Sequence, residues 1–305
     1  LRLYQDCVRD ALRTSGEAGI AMSSGLDSSS IGVLAAKELE TRGKTLHSYT
    51  FIPYQTPNKY REGNQILDES VPVRDLVKMY PNISATFLNN QGKNLFQDMD
   101  FCTELLEMPY KTGTFPNHYE ICVAASDIGC KVLLNGAFGN NTVSFGHISN
   151  GLYNLYHQKR LIAFHTLLHH YTAHEGIHRK EFKYRVLKSF QSFEQRPKEF
   201  SKTFVPDNIF ITPSILRNYD LAKRHQADPR AKASNGFLTA NDYADYLQAT
   251  ALFMYLGVFE TQFGLSTGML LRDPTKDIRI IEFCRQIPFQ MFTHKGTPRW
   301  LIRSA

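Results

Sequence analysis

The sequence predicts an α/β protein: a parallel sheet with helices on both faces, followed by a helical C-terminal portion. Three observations carry this. Short apolar, β-compatible runs alternate with helical periodicity as far as Leu134. The stretches between successive runs are long enough for the crossover helices that parallel neighbours require. From about Gly151 onward the period stays helical and strand signals are few.

Taken in order, Leu1 to Thr14 carries apolar residues at Leu3, Cys7, Ala11 and Leu12, a helical spacing. Ala18 to Met22 reads as a strand, Ser30 to Glu40 as a helix and Leu46 to Ile52 as a second strand. Glu69 to Tyr80 is helical, and Pro81-Asn82 stops it. Ile83 to Leu88 is a third strand. Asn117 to Gly129 is a helix with Gly129 placed to cap its end, and Lys131 to Leu134 is a fourth strand. Beyond it, Leu152 to Tyr171, Phe182 to Phe193, Pro213 to Lys223, Asn241 to Phe263 and Asp277 to Gln286 read as helices, with loops at 195–208 and 226–236. The expected organisation is a parallel-sheet core over residues 1–150 and a helical portion over residues 151–305 that closes a cleft.

The chain has 305 residues, 42% hydrophobic and 21% charged, so a sizeable core is available. The formal net charge of +6 is only mildly clustered, around His178-Arg179-Lys180. That reads as a solvated helix face, and no nucleic-acid partner is expected. No run of 18 apolar residues occurs, since Glu260 and Gln262 interrupt Ala249 to Gly264, so no membrane span is expected. The five cysteines are scattered without a CxxC pair and read as reduced, buried thiols of a cytoplasmic protein. The chain opens on Leu1-Arg2-Leu3-Tyr4 with no leader pattern and is read as a piece of a longer protein.

In such sheets ligands sit beyond the carboxyl ends of the strands. Two segments belong there: the loop after Met22 and the loop after Leu134. The first reads Ser23-Ser24-Gly25-Leu26-Asp27-Ser28-Ser29-Ser30. Backbone N–H groups at a strand-to-helix turn favour an anion. Gly25 permits close backbone approach, and the serines add hydroxyl donors. Asp27 would repel phosphate unless a divalent cation lies between them. On these residues alone, a helix cap by Asp27 or Ser28 explains the pattern equally well. With no lysine, the stretch is not a GxxxxGK[ST] P-loop.

The stretch resembles the S-G-G-x-D-S pyrophosphate loop of ATP pyrophosphatases. Ser23, Gly25, Asp27 and Ser28 match, and Ser24 replaces a glycine. Two later segments follow in order. Lys131 to Asn141, KVLLNGAFGNN, resembles LLSGxGxDE. Gly268 to Arg285, GMLLRDPTKDIRIIEFCR, with Gly296-Thr297-Pro298-Arg299-Trp300-Leu301-Ile302-Arg303 after it, resembles ExRxPFLD followed by a lysine before an I-L-R-like tripeptide. Together, over nearly the whole chain, they resemble the synthetase domain of the asparagine synthetase family, with its adenine nucleotide alpha hydrolase-like fold.

The resemblance implies an ATP- and Mg²⁺-dependent ligase. A substrate carboxylate attacks the α-phosphate of ATP, pyrophosphate leaves, and ammonia or an amine converts the acyl-adenylate to an amide, by default aspartate to asparagine. It implies that Ser23, Ser24, Gly25, Leu26, Ser28 and Ser29 bind pyrophosphate, and that Asp27 is catalytic and shares Mg²⁺ with Asn140. Asn135 and Gly136 lie near the nucleotide, Phe51 in Thr50 to Ile52 lies by adenine, and Arg299 takes the late catalytic cation position. The family's glutaminase half would begin with a cysteine, and residue 1 is leucine. That half is expected in the full-length protein or on another chain.

Besides Ser24, several later positions depart from the family pattern. Ala137 and Asn141 replace acids, Asn140 replaces the metal-binding Asp, Leu270 replaces a Glu and Arg299 replaces the lysine. Asn140 offers a carbonyl oxygen without charge, and a unit charge at ~4 Å is worth ~4 kcal/mol at an effective dielectric of about 20. Arg299 keeps its charge but cannot shuttle a proton. The run Gly139 to Phe145 also resembles a G-N-x-T-x-S-W run of divergent asparagine synthase-related proteins. A peptide carboxylate, as activated by lasso-peptide cyclases, therefore stays open as the substrate, and so does a nucleotide-binding pseudoenzyme.

Other constellations compete. His174-Glu175-Gly176-Ile177-His178 is a literal HExxH zinc motif, opposed by Gly176 within it and by the charged Arg179-Lys180-Glu181 after it. Asp68-Glu69-Ser70 reads as a helix cap. Tyr110 and Lys111 read equally as substrate-pocket lining or surface loop. Arg272 and Asp277 read as a buried ion pair.

Overall fold

The computed structural model describes residues 1–55, 61–62, 65–89, 91–92, 99–107, 115–194, 212–220, 223–224, 238–248 and 250–304. Tyr110, Lys111 and the loops expected at 195–208 and 226–236 lie outside the described residues.

Five strands form one parallel sheet: β1 (Glu17–Ala21), β2 (Leu46–Phe51), β5 (Ile83–Leu88), β6 (Cys130–Leu134) and β7 (Leu270–Arg272). Their order is β5-β2-β1-β6-β7. The two-residue strands β3 (Arg61–Glu62) and β4 (Gln65–Ile66) pair separately and antiparallel. β1 is central, and Ala18, Gly19 and Ile20 are all buried, as expected of a strand covered on both faces. Around it run α1 (Arg2–Ala11), α2 (Leu26–Glu40), α3 (Ser70–Lys78), α4 (Met99–Leu106) and α5 (Phe115–Asp127).

One face of the sheet carries a cluster of Tyr49, Leu133, Ile121 and Ala125 with Phe259, Phe263 and Met269. The last three come from far along the chain. The helix Thr250–Thr267 (called α11 below) supplies the two phenylalanines, and Gly268, in the left-handed region at φ 65, turns the chain into β7.

The chain forms two compact units. The first is Leu1–Ser144 with Met254–Cys284 and holds the sheet. The second is Phe145–Phe253 with Arg285–Ser304. Residues 254–284 thus belong to the unit that holds the sheet. Phe259, Phe263 and Met269 complete an apolar cluster on the sheet, and β7 bonds alongside β6.

The second unit contains α6 (Ile148–His157), α7 (Leu161–Glu175), α8 (Arg179–Glu194), α9 (Pro213–Asn218), α10 (Ala240–Tyr246), the 3-10 stretch Phe289–Gly296 and the short helix Trp300–Ser304. Leu152, Leu155, Phe164, Leu168 and Phe190 form its core. The single helix expected over Leu152 to Tyr171 is two, because Lys159 adopts φ 57 and breaks the ladder without a glycine or proline. Asn241 to Phe263 likewise divides into α10 and α11, and α9 stops at Asn218. Cys7, Cys102, Cys122, Cys130 and Cys284 are buried, and none of them forms a disulfide. No helix among the described residues is long and apolar enough to cross a membrane.

Candidate active site

The strand order fixes where a site can form. From β1 the chain steps outward to β2 and β5, then returns to place β6 on the other side of β1. The order reverses between β1 and β6, so a ligand crevice is expected outside the carboxyl ends of these two strands. These are the two loops that the sequence singles out.

The first loop is short because α2 begins at Leu26, four residues before the expected Ser30. Gly25 is its N-cap and no side chain caps it, so the helix starts with its N–H groups directed at the crevice. A cap by Asp27 or Ser28 is therefore not what is seen; both lie inside the first turn. The hydroxyls of Ser23 and Ser28 bond each other at 2.7 Å, and the Ser23 N–H donates to Ser28 Oγ at 3.0 Å. Ser29 Oγ donates to the Ser23 carbonyl at 3.0 Å. These serines lock the loop onto the helix. Ser24 Oγ reaches Glu69 Oε1 at 3.5 Å, and burial pushes the Glu69 carboxyl above its ordinary range while Ser24 opposes that shift.

The second loop packs on the first helical turn. A β-carbon on Gly136 would stand 3.1 Å from the Asp27 β-carbon, and one on Gly139 would overlap the Asp27 carboxylate. Asp27 itself is buried. The loop is clasped from behind by the residues after β7. Buried Asp273 accepts the Phe138 N–H at 2.7 Å, the Thr275 N–H at 2.8 Å and the Thr275 hydroxyl at 2.6 Å. Burial still raises its carboxyl to about 6, because these donors only partly offset desolvation. Asn135 accepts the Ala137 N–H at 3.1 Å and donates to Glu260 at 3.4 Å, and Glu260 is ion-paired with Lys276. The arrangement is a buried carboxylate beside an uncapped helix N-terminus, walled by a glycine loop, which suits an anion accompanied by a cation.

A family model described as Asparagine synthase matches residues 1–305. The chain belongs to the asparagine synthase family. No curated protein matches it. The asparagine synthase family comprises ATP-dependent, amide-forming ligases, and the parallel sheet flanked by helices agrees with the fold expected of it.

Within this asparagine synthase domain the residues singled out from sequence fall into two groups. Ser23, Ser28 and Ser29 are joined by hydrogen bonds, while Asp27, Gly136 and Gly139 are in contact. Asn135 is held by Glu260. Phe51 packs on the apolar cluster that contains Tyr49. Asn140 is exposed beyond Gly139. Arg299 lies in the second unit with φ 55, its N–H on the Gly146 carbonyl at 3.0 Å. Asp68 accepts the Ser70 N–H at 2.8 Å just before α3, whose N-cap Glu69 makes no side-chain cap hydrogen bond.

The expected Arg272–Asp277 pair does not form. Arg272 instead donates to the carbonyls of Ala11 and Arg13, both at 2.8 Å, and Asp277 is held by Arg279. Each charge found a nearer partner: frayed carbonyls after α1 for the arginine, and a guanidinium two residues away for the aspartate. The HExxH stretch is interrupted at Gly176 (φ 66), which ends α7 before His178, so the two histidines do not share a helix. Sequence reasoning missed the clasp by Asp273, Glu260 and Lys276. Only Asp273-Pro274-Thr275 carried a local signal, an N-cap followed by proline at N1.

Proposed function

We propose that this chain activates a carboxylate with ATP and then forms an amide. A carboxylate oxygen attacks the α-phosphorus, the bond to the bridging oxygen breaks, and pyrophosphate leaves. The amine nitrogen then attacks the acyl carbon, loses a proton, and AMP departs. The reading rests on the close approach of Gly139 to Asp27, a buried carboxylate in the first turn of α2.

In this reading the first-turn N–H groups of α2 receive the pyrophosphate oxygens, and Gly25, with only Ser23 Oγ near its missing side chain, lets them approach. Ser23, Ser28 and Ser29 hold the loop in shape. No three His, Cys, Asp or Glu side chains among the described residues converge as a cage for a metal. Mg²⁺ needs no such cage, since it binds through one or two carboxylates and takes phosphate oxygens and water for the rest. Asp27, with the Asn140 carbonyl as a neutral second donor, suits a metal that arrives with the nucleotide, where it would neutralise developing phosphate charge.

The test is pyrophosphate release from ATP and Mg²⁺, first with aspartate and ammonia, then with peptide carboxylates, beside an Asp27→Ala control. Release that depends on Asp27 supports the reading, and the carboxylate that elicits it names the substrate. No release with any carboxylate, together with no ATP binding, ends it. ATP binding without release moves the chain to a nucleotide-binding pseudoenzyme.

A further inference from the structure

The second unit holds a cavity that amide formation does not call for. It measures about 760 Å³ and lies among α6, α7 and the segment around Phe289–Lys295. Leu155, Leu161, Ala163, Leu167 and Phe289 make much of its wall. Lys159, Arg160 and Lys295 share the lining, with His170 and His294, and no Asp or Glu is found among the described residues there.

The backbone is bent to present these cations. Lys159 and Lys295 both adopt left-handed conformations, at φ 57 and φ 50, which side chains other than glycine disfavour. Gly296 follows at φ 79, and a β-carbon there would stand 2.7 Å from the His170 carbonyl carbon, so this segment lies directly on α7. The 15-residue helix α7 also starts at the cavity. Leu161, Ile162 and Ala163 are its first residues, and its N-cap Arg160 makes no side-chain cap hydrogen bond. The positive end of the helix thus adds to the three fixed charges.

An independent observation comes from Thr293, which also lines the cavity. It is 2% exposed, and its hydroxyl is buried without a hydrogen-bond partner. Gly151 leaves room for it, since a β-carbon there would stand 2.5 Å from Thr293 Oγ1. A buried hydroxyl without a partner is unusual in a native protein and marks a place where a polar group is missing.

We propose that this cavity binds a small amphipathic anion. A carboxylate or phosphate head sits among Lys159, Arg160 and Lys295, and an aliphatic body lies along Leu155, Leu167 and Phe289. The volume is in the range of cavities that enclose small organic ligands. Apolar walls alone would accept a neutral molecule, and cations alone would accept any anion. Their combination selects for both features. The proposal is independent of the ligase reading.

The chain carries its own reporter. Trp300 is the single tryptophan, and its ring lies 5.2 Å from that of His294 in the cavity lining. Titration with decanoate or decyl phosphate is expected to change Trp300 emission saturably, and the tighter of the two identifies the head group. Decan-1-ol is expected to bind at least about tenfold more weakly, the effect of losing one charge-assisted hydrogen bond, and acetate at least as weakly, because it lacks the aliphatic body. Lys295→Gln is expected to weaken binding by a similar factor, and Ala163→Phe, which fills the cavity from α7, to abolish it. Should those variants fail to fold, the wild type alone decides, because affinity must fall as salt rises from 50 to 500 mM, roughly as screening predicts. No saturable change, equal binding of decan-1-ol, or salt-independent binding overturns the proposal.

Discussion

Gly139 and Asp27 lie so close that a methyl group on the first would occupy the space of the second's carboxylate; the two β-carbons would be 2.8 Å apart. Gly139→Ala therefore has to displace either the loop or the side chain. Overpacking of this kind destabilises by about 1–3 kcal/mol. The expected outcome is a lower melting temperature, together with a loss of pyrophosphate release that persists at temperatures where the variant is fully folded.

Asp27→Asn keeps the shape and removes the charge. Helix-dipole effects at an N-terminus are worth about 0.3–1 kcal/mol, so the fold should survive. Pyrophosphate release should fall by about 100-fold or more, the scale for removing one preorganised electrostatic contact. Calorimetry with ATP, with and without Mg²⁺, checks the cause. The wild type should show metal-enhanced binding, and the variant should bind ATP equally in both conditions.

Asp273 gives a pH dependence of defined sign. Burial, aided by the charge of Glu260, raises its carboxyl from 3.8 to about 6 against the pull of its three donors. The folded state thus holds the proton more tightly than the unfolded one. The stability this contributes is full below pH 3.8 and is lost as pH rises through about 6. Urea unfolding of the wild type and Asp273→Asn should show their stability difference falling across that window, by at most about 1.4 kcal/mol per pH unit. A difference that stays constant from pH 4 to 6 would contradict the assignment.

Glu260 and Lys276 form an ion pair with side chains 10% and 21% exposed. Removing one partner leaves a largely buried charge. Glu260→Leu is expected to cost about 3 kcal/mol, while Glu260→Leu with Lys276→Met should recover most of it. Chemical denaturation of the two single variants and the double variant measures the coupling. Asn135 loses its acceptor in both Glu260 variants, so nucleotide binding should weaken in each.

What the sequence revealed, and what it hid, follows the range of the interactions involved. Ile83–Leu88 was readable because apolar and β-branched residues bounded by Pro81-Asn82 are local signals. β7 was not, since three residues carry no period; they become a strand only by pairing with β6. The start of α2 is hidden in the sequence because Gly25, Asp27 and the serines have turn composition, and nothing local says that the helix opens uncapped. The first loop was legible as a motif. Its clasp by Asp273 and Glu260 was not, because those carboxylates reach the second loop from more than a hundred residues downstream.

The reversal of strand order between β1 and β6 has a kinetic consequence. The two walls of the crevice come from segments more than a hundred residues apart, and their clasp arrives later still. Closing such long loops is entropically unfavourable until the distant strands pair, so contacts of this separation form slowly and late. A chain still emerging from the ribosome, or one truncated before β7, would hold the serine loop yet lack the second wall's support. If the chain binds ATP as proposed, acquisition of nucleotide affinity should therefore coincide with the last step of folding, and bound ATP would mark chains that have completed it.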